Sequence, residues 1–505
     1  MHPSQTFLKP GRKSLIEALW SAVGLFTFPI FAASVFGCMI YLWIPTSMAD
    51  PDIWWHLRNA EIQLTSHAFL SRDLYSFTAH GSAWMNHEWL AEIPFYLGWR
   101  LMGEQGVFLV TVAAIETVLL GVFYLSYKKS KSAAAAMSVS ILAAFVSTVS
   151  FGPRTLLFGW ICLVLELLIL DELQANLRLV WELPLLFLLW VNLHGSWIIG
   201  IVVLLLFVVS TLISMKAGLI ESEAWPWEHE RPLIASACLS LGALFINPYG
   251  WRLVTYPFDL AFRQKLNIGT VEEWKTLDFH SPRGKVFLAS IGLLFALQLL
   301  KGLQWRLYEL GIVALGVYAS VTYSRFLFLG AILVMPVLAR YLFTSVIPRT
   351  SHYAGWIGVT VLLGILPSLY QHFPAEQTMT DGDKKYPFNA IVFLHRLPPH
   401  TRVFNEFAWG GYLEWNLRDL RVFIDSRIDL FEYNGTFRDY LDVIQIRNSL
   451  AILDRQKIQY VLFEHDTPLA YLLEHSTEWK VAYQDDSAEV LERIDLKEAH
   501  VPDPD

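Results

Sequence analysis

Two acidic residues stand directly after the first long apolar segment of this 505-residue chain. Asp50 and Asp52 flank one proline, and His56 and Arg58, both candidate substrate-binding residues, follow within eight positions. Carboxylates at this spacing can bind a divalent cation such as Mg²⁺ or Mn²⁺, or one can act as a general base toward an acceptor hydroxyl or amide. The structural alternative is an N-cap and turn that open a helix. Carboxylates beside hydrocarbon carry a large desolvation cost, which favours a functional site here.

Further along the same loop, His87 and Glu88 follow Asn86. Glu88 suits a second acid or a metal ligand facing Asp50, and it also suits the first turn of a helix, whose dipole favours negative charge. His194 closes a later apolar segment, where a single histidine is either structural or part of a binding site. These residues extend the set of candidates for a catalytic or substrate-binding role.

A site that handles a lipid phosphate needs fixed cations to offset the phosphate charge. Arg58, Arg154 and Arg325 are candidates, and Arg325 begins a long apolar run where an anion is the simplest reason for a guanidinium. Glu273 and its neighbour Glu272 are acids in a long loop, where such pairs are usually solvated. The adjoining Trp274 indicates that this pair lies at interfacial depth.

The composition indicates that many elements in this chain cross a membrane. Hydrophobic residues make up 54% of it and charged residues only 17%, against roughly 25% charged residues in soluble domains. The net charge of −8 and the absence of a basic run argue against a nucleic-acid partner. The three cysteines fall inside apolar segments, so neither a disulfide framework nor a CxxC metal site is predicted.

A helix needs about 20 apolar residues to cross a bilayer. Eleven candidate spans follow from this rule, at 16–45, 107–127, 133–150, 155–171, 179–194, 196–215, 232–247, 286–301, 306–323, 326–345 and 353–371. The first is too long for the apolar core of a signal peptide and is predicted to be a retained helix.

Basic residues orient the predicted spans, because cytoplasmic loops are enriched in lysine and arginine. They cluster before the first span and after the second: Lys9, Arg12, Lys13, Lys128, Lys129 and Lys131. The N-terminus is therefore predicted to be cytoplasmic, and the 46–106 loop, the 248–285 loop and the segment 372–505 to be outside. All the candidate site residues then lie at or near the outer face of an inner or plasma membrane.

Two domains are expected, a transmembrane domain at 1–371 and an extracytoplasmic domain at 372–505. The 46–106 loop should contain two interfacial helices, near 52–66 and 87–101. From about residue 381, predicted strands alternate with helical patterns, which is typical of a small α/β domain with a mainly parallel sheet. The strands are predicted near 402–405, 421–425, 460–463 and 479–483, and the helices near 388–397, 411–416, 437–455 and 469–475.

At these residues the chain resembles the GT-C superfamily of membrane glycosyltransferases. The run Asp50-Pro-Asp-Ile-Trp-Trp-His-Leu-Arg58 is similar to the Asp-Pro-x-x-aromatic-aromatic-His/Asn-x-Arg run of oligosaccharyltransferase catalytic subunits. A bacterial family of multispanning proteins grouped with GT-C enzymes is similar over nearly the whole chain. That similarity rests on Asp52–Arg58, Trp84–Leu90, Asn192–Gly195, Asn247–Gly250, Glu273-Trp274, Trp409–Tyr412 and Phe423–Asp425.

The resemblance implies a polytopic fold that takes a polyprenyl-phosphate-linked sugar as donor, with membrane lipids around it and a glycan, lipid or protein as acceptor. By position, Asp50 or Asp52 would be the catalytic acid or base, with Glu88 completing the pocket. The chain lacks a Trp-Trp-Asp-x-Gly motif, and Trp409-Gly-Gly-Tyr412 is not its equivalent. This departure favours transfer of a monosaccharide over transfer of whole oligosaccharides to asparagine.

Two other classes of function remain open at this point. A non-catalytic membrane scaffold or lipid-binding subunit of an envelope complex would need no cavity joining the bilayer to the loop acids. A transporter is disfavoured, because no pair of interrupted mid-membrane helices occurs in matching halves.

Overall fold

The computed structural model describes residues 28–302, 304–342, 352–375 and 386–494. Its first fifteen α-helices belong to the predicted transmembrane part. They are α1 Phe28–Trp43, α2 Asp52–Ser66, α3 Trp89–Met102, α4 Glu104–Ser130, α5 Ala133–Ser147, α6 Leu156–Glu172, α7 Glu182–Leu193, α8 Trp197–Leu212, α9 Trp227–Ala243, α10 Trp251–Arg263, α11 Lys265–Thr270, α12 Pro282–Lys301, α13 Leu307–Thr322, α14 Leu327–Leu342 and α15 His352–His372. The two helices predicted in the 46–106 loop are α2 and α3.

Four helical runs in the described part of the chain are long and apolar enough to cross a membrane: Glu104–Ser130, Ala133–Ser150, Pro282–Lys301 and Ser324–Leu342. Each of the eleven predicted spans overlaps a helix, although residues 16–27 of the first lie outside the described residues. The count of eleven spans is not confirmed. Helix α7, for example, has only 12 residues, or about 18 Å against a hydrocarbon core of about 30 Å.

Helix α14 lies at the centre of the bundle. Most of its side chains are buried, and it packs against α4, α5, α12 and α13. Gly330 allows the close approach of neighbouring helices, because an added Cβ would lie 2.2 Å from the Ser320 hydroxyl. Arg325 lies in the 3₁₀ turn Ser324–Phe326 that leads into α14, so this turn and the helix determine where its guanidinium lies.

A small sheet joins two loops at one end of the bundle. Its strands are β1 Met215–Ala217, β2 Ile220–Ser222 and β3 Trp305–Arg306, with β1 antiparallel and β3 parallel to the central β2. Sequence patterns predict only connections there. Strands of two or three residues are too short to carry a readable alternation of polar and apolar residues.

The C-terminal domain is built on a four-stranded sheet. Its strands are β4 Val403–Asn405, β5 Tyr460–Phe463, β6 Trp479–Gln484 and β7 Glu489–Arg493, and its helices are α16 Ala390–Leu394, α17 Gly410–Asn416, α18 Ile428–Phe431, α19 Thr436–Ile444, α20 Ser449–Arg455 and α21 Pro468–Glu474. The strand order is β4-β5-β7-β6, with one parallel pair and two antiparallel pairs. The expectation of a mainly parallel sheet is therefore wrong, because β7 returns between β5 and β6.

The predicted strand at 421–425 is also not a strand. Val422 instead forms isolated bridges to Val403 of β4 and to Ser76 of the 46–106 loop. The Phe77 N–H donates to the Val422 carbonyl at 3.0 Å, and the Val422 N–H donates to the Tyr75 carbonyl at 3.1 Å. The external loop thus continues the edge of the C-terminal sheet.

The 248–285 loop is bound to the same domain. The carboxylate of Glu432 accepts hydrogen bonds from the backbone N–H groups of Leu266 and Asn267, both at 2.9 Å, at the start of α11. The Tyr433 hydroxyl donates to Asp259 of α10. Three segments that are distant in the sequence therefore meet at one end of the bundle, and the candidate site lies among them.

Candidate active site

An ion-paired chain of three residues forms the first part of the site. Arg154, just before α6, donates from Nε to Asp50 Oδ2 at 2.7 Å and from Nη1 to Glu273 Oε1 at 2.5 Å. Burial alone would lower the pKa of Arg154, but the charges of Asp50 and Glu273 raise it overall. Arg154 therefore stays charged and links the 46–106 loop to the 248–285 loop.

Asp52 opens α2 beside this chain. Its backbone N–H donates to Asp50 Oδ1 at 3.0 Å, and its Oδ1 accepts from Trp55 Nε1 at 3.3 Å. Burial, and next the charge of Asp50, raise the pKa of Asp52 to about 6, while His56 and the hydroxyl of Ser426 partly offset this shift. A carboxylate with a pKa near neutrality is suited to act as a general base.

Glu88 lies among three histidines. Its Oε1 is 3.1 Å from His194 Nε2 and 3.7 Å from His87 Nε2, and its Oε2 is 3.5 Å from His56 Nε2. Burial would raise the pKa of Glu88, but His87, His194 and His56 together lower it well below its usual value. Glu88 is therefore an anion throughout the physiological range, in contrast to Asp52.

The orientation of the His194 ring is fixed by the backbone. The Ser196 N–H donates to His194 Nδ1 at 2.9 Å, so the proton of the neutral ring is on Nε2, which faces Glu88. His194 is thus held neutral as a hydrogen-bond donor, a role consistent with its position at the end of α7.

His56 is held by a carboxylate that sequence analysis did not single out. Its Nδ1 donates to Glu92 Oε1 at 2.8 Å, and the same carboxylate accepts from Asn59 at 3.0 Å and from Asn86 at 2.6 Å. Burial lowers the pKa of His56, but the hydrogen bond and charge of Glu92, together with Glu88, raise it overall. The only indication of Glu92 in the sequence was the position of an acid inside the apolar pattern of α3.

Arg325 completes the set of charged residues. Its guanidinium lies 4.2 Å from the ring centre of Trp274, and it interacts electrostatically with Glu273, Glu88 and Asp52. Among the described residues it has neither an ion pair nor a hydrogen bond. Arg154 is occupied by two carboxylates, whereas the charge of Arg325 is open to an incoming anion.

The C-terminal domain contributes residues that the sequence did not reveal. The Ser426 hydroxyl accepts from Trp55 Nε1 at 3.0 Å and so lies beside Asp52. Asp429 accepts from Trp84 Nε1 at 3.2 Å and from the Tyr256 hydroxyl, and burial raises its pKa. The Tyr256 ring lies against His87, with centres 4.3 Å apart. The only indication of Ser426 and Asp429 in the sequence was the family resemblance at Phe423-Ile-Asp425, just before them.

The structure brings nine of the ten predicted site residues together and leaves one apart. Arg58 pairs with Glu61, Nη1 to Oε2, at 2.5 Å, and its side chain lines a separate cavity with Tyr75 and Arg421. The cluster consists of Asp50, Asp52, His56, His87, Glu88, Arg154, His194, Glu273 and Arg325. The catalytic and binding roles of all ten stay predictions.

The possible Mg²⁺ or Mn²⁺ site at Asp50 and Asp52 is not confirmed. Oδ2 of Asp50 binds the Arg154 guanidinium, and Oδ1 of Asp52 accepts from the Trp55 indole. Within the described ranges, no three His, Cys, Asp or Glu side chains form a group able to hold a metal ion. Because the Arg154 guanidinium already neutralises Asp50 here, the cation stays a prediction.

Three solved structures are similar to this chain in fold. An oligosaccharyltransferase from Archaeoglobus fulgidus, tethered to an acceptor peptide with the NVT sequon, aligns over 89% of this chain and 69% of its own, with a TM-score of 0.54 and 11% identity. AglB from the same organism, in complex with an inhibitory peptide and a dolichol-phosphate, aligns over 90% of this chain and 70% of its own, with a TM-score of 0.52 and 10% identity. ArnT from Cupriavidus metallidurans, bound to undecaprenyl phosphate, aligns over 96% of this chain and 99% of its own, with a TM-score of 0.53 and 14% identity.

No family model matches the sequence, and no curated protein matches it. The structural matches confirm the predicted resemblance to oligosaccharyltransferases at the level of the fold alone. With the apolar helices described above, this fold indicates a membrane protein. The orientation of its termini stays a prediction.

Proposed function

We propose that this chain is an integral membrane glycosyltransferase. It moves a sugar from a polyprenyl-phosphate-linked donor to an acceptor at the outer face of the membrane. The division into a transmembrane domain at 1–371 and an extracytoplasmic domain at 372–505 belongs to the same proposal. The fold shared with AglB and ArnT supports the general class, since those structures hold a dolichol-phosphate and undecaprenyl phosphate.

The observation that carries the proposal is the contrast between the two arginines. Arg154 is bound by Asp50 and Glu273, whereas Arg325 forms no direct ion pair among the described residues and lies on the face of Trp274. A guanidinium in this state is suited to bind a phosphate group. A buried carboxylate with a raised pKa, Asp52, lies close enough to interact electrostatically with Arg325.

The reaction follows from these two groups. Asp52 accepts the proton of the acceptor hydroxyl while the hydroxyl oxygen attacks the anomeric carbon of the donor. The bond between that carbon and the phosphate oxygen breaks, and polyprenyl phosphate leaves with the bonding electrons. Arg325 stabilises the negative charge that develops on this leaving phosphate. His194 and His56 hold Glu88 in place, and its carboxylate can accept hydrogen bonds from sugar hydroxyls.

The test is binding and turnover of a polyprenyl-phosphate-linked sugar by detergent-purified protein. Asp52→Asn should bind the donor normally and lose release of polyprenyl phosphate by about 10²-fold or more. Arg325→Gln should weaken donor binding, because it removes a cation that binds phosphate. Arg263→Gln is the matched control, since its side chain is 77% exposed and pairs, among the described residues, with Asp259 alone.

Donor binding that is equal in Arg325→Gln, Arg263→Gln and the unchanged protein would contradict the role of Arg325. Failure of the protein to bind any such lipid would contradict the enzyme proposal as a whole. That result would favour the scaffold alternative.

A further inference from the structure

A cavity of about 450 Å³ lies at the opposite end of the bundle from the candidate active site. Helix α6 connects the two regions: Arg154 precedes its first turn, and Asp171 of its last turn lines the cavity. Seventeen residues of α-helix span about 25 Å. This cavity is therefore separate from the glycosyltransferase chemistry proposed above.

Polar side chains line part of the cavity, whereas its remaining walls are apolar. Side chains from α4, α6, α8, α13 and α14 form them, namely Leu125, Leu167, Phe207, Ile312, Ile332 and Val337. Volumes of roughly 300–1,000 Å³ with apolar walls and a few polar groups are typical of ligand pockets. A free phosphate or a soluble metabolite would leave these walls unused, whereas an acyl chain would bury its methylene groups against them.

The charged groups deepest in the cavity are already neutralised by the protein. Glu309 is 2% exposed and binds Lys129 at 2.9 Å and Arg340 at 2.6 Å. Asp171 binds Lys128 at 2.7 Å. These carboxylates are already ion-paired within the protein and are not available to bind a charged ligand.

The mouth is different, because the sheet β1–β3 presents a row of alternating charges there. Lys216 of β1 pairs in register with Glu221 of β2, and Glu221 pairs with Arg306 of β3. All three side chains are exposed, line the cavity and have no ion pair among the residues that the structure describes. A ligand with one positive and one negative group would match this row.

Tyr308 supplies a further polar group inside the cavity. Its hydroxyl is buried and has no hydrogen-bond partner in the described part of the chain. Its ring packs edge-on against Phe207, with centres 5.1 Å apart. Since a buried hydroxyl without a partner is costly, an occupant of the cavity that accepts its hydrogen bond would be favoured.

We propose that this cavity binds a phospholipid with a zwitterionic ammonium-phosphate headgroup. One acyl chain lies along the apolar walls, and an ester or phosphate oxygen accepts from Tyr308. At the mouth, Arg306 and Lys216 bind the phosphate and Glu221 binds the ammonium group. The inference is independent of the proposed enzyme activity.

The test is native mass spectrometry of the full chain in detergent, titrated with phosphatidylethanolamine. Tyr308→Phe is the informative variant, because its hydroxyl has no protein partner and its loss should leave folding unchanged. It should weaken retention of the lipid about fivefold, the effect of one neutral hydrogen bond. Arg306→Gln and Glu221→Gln should weaken it further. Arg231→Gln, an exposed arginine on α9 outside the cavity, should have no effect.

Two added ligands separate the sources of binding. Phosphatidylglycerol, which lacks the ammonium group, should bind more weakly than phosphatidylethanolamine and be insensitive to Glu221→Gln. Glycerophosphoethanolamine, which lacks acyl chains, should not be retained. Equal retention of phosphatidylethanolamine by all variants, or equal binding of either added ligand, would overturn the proposal. Thermal unfolding of each variant checks that a loss of lipid is not a loss of fold.

Discussion

Arg427 of the C-terminal domain forms a buried ion pair with Asp73 of the 46–106 loop, with Nη2 2.7 Å from Oδ1. The same guanidinium donates to both oxygens of Asp425, at 2.8 Å from Nε and 2.6 Å from Nη2. None of the three side chains is more than 1% exposed. This cluster lies directly beside Ser426, so it determines how the C-terminal domain meets Asp52.

Replacing Arg427 should therefore destabilise the protein severely. In Arg427→Met two buried carboxylates lose their cation, a change that typically costs about 3–5 kcal/mol in the free energy of unfolding. Thermal unfolding in detergent measures the effect. Arg447→Met is the control, because that side chain is 68% exposed and its loss should cost under about 0.5 kcal/mol. Similar melting temperatures for the two variants would contradict a structural role for the cluster.

The pKa of Asp52 predicts how activity depends on pH. Since burial and Asp50 raise that pKa to about 6, turnover should rise as pH increases through about 6 and level off above pH 7. The pH profile of kcat/KM for a polyprenyl-phosphate-linked sugar measures this limb. A profile that is flat between pH 5 and 8 would exclude Asp52 as the base.

The same shift affects stability with a defined sign. Asp52 has a higher pKa in the folded chain than in the unfolded chain, where it is about 3.9. Between pH 4 and 6 the folded state binds more protons, so the free energy of unfolding falls as pH rises across this interval. Asp52→Asn removes the cost of ionising this group. The variant should be more stable than the unchanged protein at pH 7, with a smaller difference at pH 4.

Glu92 should act as a positioning residue through His56. Glu92→Gln removes the negative charge of the carboxylate that accepts from His56 Nδ1. The pKa of His56 should therefore fall, and its ring should lose its fixed orientation. Turnover should drop by about tenfold or more, with a changed pH profile and a smaller change in KM. Arg100→Gln on the exposed side of the same helix is the control. An unaltered pH profile in Glu92→Gln would limit Glu92 to a structural role.

Asp50 and Arg154 should be energetically coupled. A hydrogen bond between charged groups contributes about 1.5–3 kcal/mol, and Asp50→Asn and Arg154→Gln each remove the same one. A double-mutant cycle on thermal stability should therefore give a coupling energy of about 1–3 kcal/mol. Additive effects of the two substitutions would contradict the ion pair as the main role of Arg154.

Gly411 permits the close contact between α17 and the start of α2. A Cβ there would lie 3.0 Å from the Pro51 carbonyl oxygen and 3.3 Å from Trp55. Gly411→Val should push these helices apart, displace Asp52 and reduce turnover. In Gly292→Val the new side chain meets open space, so activity should be retained. Full activity in Gly411→Val would contradict the view that this contact positions the catalytic carboxylate.

The sequence predicted the parts of the site that depend on neighbouring residues. The helix at 52–66, the acids before it and the cations beside apolar runs are all local patterns of charge and periodicity. Glu92, Ser426 and Asp429 were missed because their roles depend on contacts across the fold. The local sequence offered only an acid within the apolar pattern of α3 and, for the other two, the family resemblance just upstream.

The errors in the C-terminal domain have similar causes. The helix predicted at 437–455 is broken where Ile446 and Asn448 adopt positive φ angles of 58° and 53°, without a glycine or proline to mark the break. Val422 was assigned to a strand because its apolar neighbours resemble one. Val422 instead forms isolated bridges, one of them to Ser76 in a distant loop. Pairing of this kind cannot be recognised from the residues around Val422.

The junction between the external loop and the C-terminal sheet has a consequence for biosynthesis. Thr78 donates its hydroxyl to the Phe423 carbonyl, 345 positions later in the chain. At translation rates of 5–20 residues per second, roughly 20–70 s separate the synthesis of these two partners. The helices between these two positions are thus synthesised before the loop that carries Asp50 and Asp52 can contact the C-terminal domain. The proposed site is therefore completed late in synthesis, and a chain that ends before residue 423 would lack the contact between Thr78 and Phe423.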